Sequence, residues 1–138
     1  MKRLTATLCL TIAVLLGSVG MSASADFQKG LAAWLNEDYA TALRIWKPLA
    51  EQGNASAQNN LGAMYNNGNG VPQDYVYAHM WFNIAVLSGA KPSSDPDAYS
   101  ADLAKEYRDI VAKKMTPAEI AKAEKLTSEC VAKKYKGC

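Results

Sequence analysis

Apolar and small residues recur at helical spacing along much of the chain, and one pattern is written twice. Setting Asp38 on Asp74, a shift of 36 residues, brings Tyr39 onto Tyr75, Ala42 onto Ala78, Trp46 onto Phe82, Leu49 onto Ala85 and Gly53 onto Gly89. Counted from the tyrosine, these positions follow i, i+3, i+7, i+10 and i+14, which is one face of an α-helix. Each copy opens on an aspartate and closes on a glycine, a start and a stop signal. The stretches before them, "DFQKGLAAWLNE" and "ASAQNNLGAMYNN", are rich in alanine and also read as helices. Gly30 and Gly62 lie inside them. A glycine within a helix costs about 1 kcal/mol relative to alanine, so each predicts the close approach of a paired helix. The units are therefore helix–turn–helix hairpins, with a period in the range of helical solenoids.

Two further helices follow. "SSDPDAY" starts the first, with Asp95 as cap and Pro96 in the first turn, and Leu103, Tyr107, Ile110 and Val111 as its apolar face. "TPAE" starts the second, with Thr116 as N-cap, Pro117 at the first position and Glu119 as capping-box partner. Ile120, Ala123, Thr127 and Cys130 continue that face. The pattern predicts an all-α chain of six helices in three hairpins, the third a cap over the open end of a short stack. Lys91–Pro96 is the most linker-like stretch, too short to divide two domains.

The stretch "YNNGNGVPQDY", Tyr65–Tyr75, reads as the corner of the second hairpin. Gly68 and Gly70 accept a positive φ without steric cost, asparagine tolerates one, and Pro72 and Asp74 restart the helix. A phosphate loop would need a preceding strand and a GK[ST] ending. A calcium loop would draw on Asn66, Asn67, Asn69 and Asp74, of which one is charged, and lacks the bidentate glutamate. No metal or cofactor is implied.

The N-terminus changes what belongs to the fold. Lys2 and Arg3, an apolar run from Leu4 to about Val19, and Ala23-Ser24-Ala25 form the three regions of a secretory signal, residues 1–25. Cleavage after Ala25 would leave residues 26–138 as one small domain with no stable membrane anchor, in the periplasm or outside the cell. Without Lys2 and Arg3, thirteen of the 15 basic residues face 13 acidic ones, so no net positive field points to nucleic acid. Export permits disulfides. Cys130 and Cys138 can meet if Gly137 turns the chain back, and a structural disulfide is the reading taken over a redox or metal pair, for which CxxC spacing is absent.

"NNLGAMYNNGNGVPQDYVYAHMWFNIAVLSGA" resembles the Sel-one-like repeat, a relative of the tetratricopeptide repeat. The matching positions are Ala57, Leu61, Gly62, Tyr65, Gly68, Gly70, Val71, Asp74, Ala78, Trp81, Ala85 and Gly89. Residues 26–53 resemble a tetratricopeptide-type unit, residues 55–90 the repeat itself, and residues 95–138 a C-terminal helical hairpin. The first unit departs from the pattern at Glu37, where glycine is common. The resemblance implies a short right-handed α-solenoid used as a non-catalytic scaffold for a protein or peptide partner. Some exported members are linked to cell-wall components. It also implies a groove along the first helix of each hairpin, carried onto Leu31, Trp34 and Leu35 in the first unit and Asn59, Ala63, Asn66 and Asn67 in the second. Asparagines suit a peptide backbone, and Trp34 would be an aromatic anchor. The alternative for Leu31 and Trp34 is packing beneath a neighbouring hairpin.

Other residues carry less. His79 is the sole histidine and replaces Leu43 of the first unit, so a half-buried, hydrogen-bonded role is expected rather than catalysis. Tyr75, Phe82 and Trp81 are expected in the core and Tyr77 on the surface. Lys133, Lys134 and Lys136 suit the end of the last helix. The expected function is an exported scaffold that binds a protein or peptide in the cell envelope. The alternatives are an enzyme or binder acting on cell-wall material, and a structural subunit that self-associates through stacked repeats.

Overall fold

A computed structural model describes residues 19–89 and 97–138, and among the described residues it is all-α. The helices are α1 (Val19–Leu35), α2 (Tyr39–Glu51), α3 (Ala55–Asn67), α4 (Tyr75–Gly89), α5 (Asp97–Ala112) and α6 (Pro117–Ala132). Helix α1 starts ahead of the expected cleavage point and runs through Ala25–Asp26. Most of the expected signal, together with Asp95, Pro96 and the linker-like stretch, lies outside the described residues.

The caps are where the side-chain chemistry puts them. Asp38 accepts from the Thr41 N–H at 3.1 Å and Asn54 from the Ala57 N–H at 2.8 Å. Asp74 accepts from the N–H groups of Val76 and Tyr77. Thr116 and Glu119 form a reciprocal capping box on α6. Gly68 closes α3 at φ 72°, with its N–H on the Met64 carbonyl, and Gly70 follows at φ 74°. The Tyr65–Tyr75 stretch is thus a corner. It also packs outward: a Cβ on Gly70 would lie 3.1 Å from the Cβ of Tyr39, at the start of α2. Gly53 turns the chain between the hairpins at φ 91°, whereas Gly89 is the last residue of α4.

Helix α1 pairs with α2 and α3 with α4, and α2 joins the two hairpins by packing on α3. The inner glycines explain how. Trp46 of α2 lies across Gly30, and Phe82 of α4 lies across Gly62, where an added Cβ would sit 2.6 Å from the ring. The two pairs hold the same place in their hairpins although their sequence spacing differs by four. The turn accounts for it: Asn36–Asp38 joins the first pair, and Gly68–Asp74, four residues longer, joins the second. Gly62→Ala is expected to destabilise the protein by about 1 kcal/mol, since overpacking of about 1–3 kcal/mol outweighs alanine's gain in helix propensity. In a Phe82→Leu background the same change is expected to stabilise. Urea unfolding of the four chains checks the reversal of sign.

The shorter first corner carries strain. Glu37 has φ 60°, left-handed for a side-chain-bearing residue, at the position where glycine was expected from the resemblance. A left-handed residue costs about 1–2 kcal/mol, and glycine returns part of that as chain entropy. Glu37→Gly is therefore expected to raise stability by about 0.5–1 kcal/mol, read as a higher urea midpoint at unchanged slope.

The third unit differs from the first two. Helices α5 and α6 are joined by a short turn, but they scarcely touch each other. Helix α5 packs on α4 and α3, while α6 packs on α4. Both lean on α4, which is why α4 is buried nearly all round, with Ala78, Met80, Trp81, Phe82, Ile84 and Ala85 each at most 2 % exposed. Trp46, Leu61, Met64 and Trp81 centre the main core, and Phe82, Ala78 and Val111 form a second cluster under α5. Cys130 and Cys138 are joined in a disulfide, with their Cα atoms 5.7 Å apart.

Candidate functional site: the groove between α1, α3 and α5

A cavity of about 360 Å³ opens where the first helices of the units face one another. Leu31 and Trp34 of α1 form one wall, and Leu103, Tyr107 and Ile110 of α5 form the other. Asn59, Asn60, Ala63, Asn66 and Asn67 of α3 run between them. Trp46 and Phe82 supply the floor, because Gly30 and Gly62 let these rings reach past α1 and α3. Phe82 meets Tyr107 at 5.7 Å between ring centres, and Trp34 sits 5.7 Å from Trp46 and 5.0 Å from Tyr39. Trp34 is half-buried, so it packs on the core and still lines the groove.

Six of the residues carried over by resemblance are brought together here: Leu31, Trp34, Asn59, Ala63, Asn66 and Asn67. Leu35 is not. It is the last residue of α1, one step round the helix from Trp34, and it is 73 % exposed away from the cavity. The α5 wall was not anticipated as part of a groove. Its apolar face was legible, but Tyr107 and Ile110 stay 39 % and 42 % exposed because they border the cavity.

Asparagine geometry sets the groove's polarity. The Asn66 side-chain N–H donates to Oδ1 of Asn67 at 2.8 Å, which leaves the Asn66 Oδ1 buried without a partner among the described residues. Oδ1 of Asn59 is likewise buried and unpartnered, on a residue 8 % exposed. Gln58, fully buried on the next face, was missed in the sequence. Its Nε2 donates to the Ala50 carbonyl at 3.0 Å and ties α3 to the end of α2.

His79 lies outside this groove. It is 5 % exposed, and its Nδ1 has no hydrogen-bond partner among the described residues, contrary to the bonded role expected of it. Burial holds its pKa below the ordinary histidine value. Arg108 acts in the same sense, and Glu124 and Asp109 act against it. A depressed pKa means that the unfolded chain takes up the proton first. Stability is then fully present above about pH 6.5 and falls as the pH drops through that value. His79→Leu, which copies Leu43 of the first unit, is expected to flatten the stability profile between about pH 7 and 5. Urea midpoints measured across that range check it. Tyr77, expected at the surface, is half-buried and stacks on Tyr65 at 5.3 Å, because α6 covers that side of α4.

The paired helical hairpins, with glycine-seated aromatics and a groove along their first helices, define an α-solenoid of the tetratricopeptide type. A family model of the Sel1 repeat matches residues 55–89, which comprise α3, the corner and α4, and the chain carries a Sel1 repeat there. Sel1 repeats serve as non-catalytic scaffolds for protein–protein interaction. Comparisons with curated proteins and with solved structures gave no match. No helix among the described residues is long and apolar enough to cross a membrane.

Proposed function

We propose that this chain is an exported, non-catalytic binding module that holds a segment of a protein partner in the groove between α1, α3 and α5. The observation that carries this reading is the convergence of Trp34, Trp46 and Phe82 with the α3 asparagines on one concave cavity. Concave, mostly apolar sites with a few convergent polar groups are where ligands bind. The Cys130–Cys138 disulfide and the signal-like N-terminus support an oxidising compartment, the periplasm or beyond.

The test uses the full chain, tagged at its C-terminus and produced in bacteria, with a Trp34→Ala, Asn59→Ala variant beside it. Export predicts that the purified protein begins at Asp26, read by N-terminal sequencing, and a start at Met1 ends the export reading. Crosslinking in cell-envelope extract is expected to join a partner to the parent and not to a variant that still melts cooperatively. Equal capture by both would place binding elsewhere on the chain. A mass that rises with concentration in sedimentation, without any captured protein, would favour self-association through stacked repeats.

A further inference from the structure

We propose that Asn69 is a site of spontaneous self-modification, where ring closure onto Gly70 converts the asparagine to aspartate or isoaspartate and unseats the second corner from α2.

In an asparagine–glycine pair the main-chain nitrogen of the glycine reaches the asparagine side-chain carbonyl readily, because glycine puts no Cβ in the way. The chain has two such pairs, Asn67–Gly68 and Asn69–Gly70, both in the second corner. The fold treats them differently. Asn67 is the last residue of α3, so its backbone is held helical. The Gly68 N–H, which would have to attack, donates to the Met64 carbonyl, and Oδ1 of Asn67 accepts from the Asn66 amide at 2.8 Å. Ring closure there requires the end of α3 to open. Asn69 lies beyond the helix, between Gly68 at φ 72° and Gly70 at φ 74°. Its own N–H is held by the Met64 carbonyl at 3.0 Å. Neither its side-chain amide nor the Gly70 N–H has a hydrogen-bond partner among the described residues, and Gly70 is exposed to water.

The reaction needs nothing but water. Hydroxide takes the Gly70 amide proton, and the nitrogen attacks Cγ of Asn69. An N–Cγ bond forms and closes a five-membered ring, the Cγ–Nδ2 bond breaks, and Nδ2 leaves as ammonia with a proton returned from water. A water molecule then opens the ring. Cleavage of the N–Cγ bond gives aspartate. Cleavage of the original peptide bond gives isoaspartate, whose main chain runs through Cβ and Cγ and is one carbon longer. The corner is tight where that carbon enters. A Cβ on Gly70 would stand 3.1 Å from the Cβ and the carbonyl oxygen of Tyr39 and 3.2 Å from Cε of Met64, so Gly70 is seated against the start of α2. An isoaspartate directly before Gly70 displaces that seat.

The full-length protein is aged in mildly alkaline buffer, folded or in concentrated urea. Both asparagines are followed by peptide mass spectrometry with fragmentation that distinguishes isoaspartate. In the folded protein, conversion at Asn69 is expected to run about tenfold or more faster than at Asn67, where two hydrogen bonds must break first. In urea the two rates are expected to converge. Asn69→Gln, whose ring would be six-membered, is expected to abolish the conversion at this position and to keep the parent's urea midpoint. The aged parent is expected to lose urea midpoint in step with its isoaspartate content, while the aged Asn69→Gln variant holds its own. Equal rates at the two asparagines in the folded protein, or conversion in urea only, would overturn the assignment. A preference for Asn69 that persists in urea would overturn it too, since neighbouring residues and not the fold would then set the rate. Aged protein rich in isoaspartate with the midpoint of fresh protein would show that the corner keeps its seat on α2.

Discussion

Trp46→Ala is expected to be the most damaging single change, lowering stability by about 3–5 kcal/mol, the range for truncating a buried aromatic. Trp46 is 1 % exposed and stands at the centre of the first hairpin. Its ring stacks on Phe27 at 5.8 Å, meets Trp34 at 5.7 Å and lies across Gly30, and its indole N–H donates to the Phe27 carbonyl at 3.3 Å. Alanine would empty that space, and because α1 is held by little except α2, the cavity would not close well. Trp46→Phe copies Phe82 of the second unit. It keeps most of the packing and loses the hydrogen bond, so about 1–2 kcal/mol is expected. Urea unfolding by circular dichroism measures both. A loss under 1 kcal/mol for the alanine variant would mean that α1 does not depend on Trp46, and the account of the first hairpin would fail.

The repeat was legible because its signals are local. Asp38, Asp74 and Thr116 cap helices through bonds that span only a few residues. Gly30 and Gly62 pointed to close packing because glycine inside a helix has few other uses. The six grouped groove residues came from family geometry and not from the pattern itself. What stayed hidden depends on distant packing. Leu35 and Trp34 are neighbours in sequence and both apolar, and only the curvature of the stack decides which one faces the cavity. The apolar stripe of α5 gave no sign that Tyr107 and Ile110 would border a cavity instead of filling a core. Helix α6 covers Tyr77 because α5 and α6 splay apart to embrace α4, an angle that neither helix encodes alone. His79 shows the same limit: its burial follows from that embrace, and its unpaired Nδ1 could not be read from the leucine it replaces.

Reducing the Cys130–Cys138 bond is expected to cost about 2–3 kcal/mol on the chain-entropy estimate for so short a loop. The bond does more than close that loop. Past α6 the chain turns through Lys134 at φ 53° and Tyr135 at φ 67°, and the Tyr135 N–H is held by the Cys130 carbonyl at 2.9 Å. This turn lays the Tyr135 ring over Gly53, where an added Cβ would be 3.5 Å from it. Gly53 is the corner between the first two hairpins, so the C-terminus is stapled back across the stack. Two successive left-handed residues are costly without glycine, and the disulfide is the covalent tie that keeps them in place. Cys138→Ser is therefore expected to lower the melting temperature by roughly 10 °C or more. Dithiothreitol is expected to bring the wild type down to the same value and to leave the variant where it is. Tyr135→Ala in the oxidised protein is expected to give a smaller loss, since the loop stays closed while the contact with Gly53 is gone. A wild type indifferent to reductant would show that the two thiols are not joined in the folded protein. Equal losses from Cys138→Ser and Tyr135→Ala would show instead that the bond acts only by seating that ring.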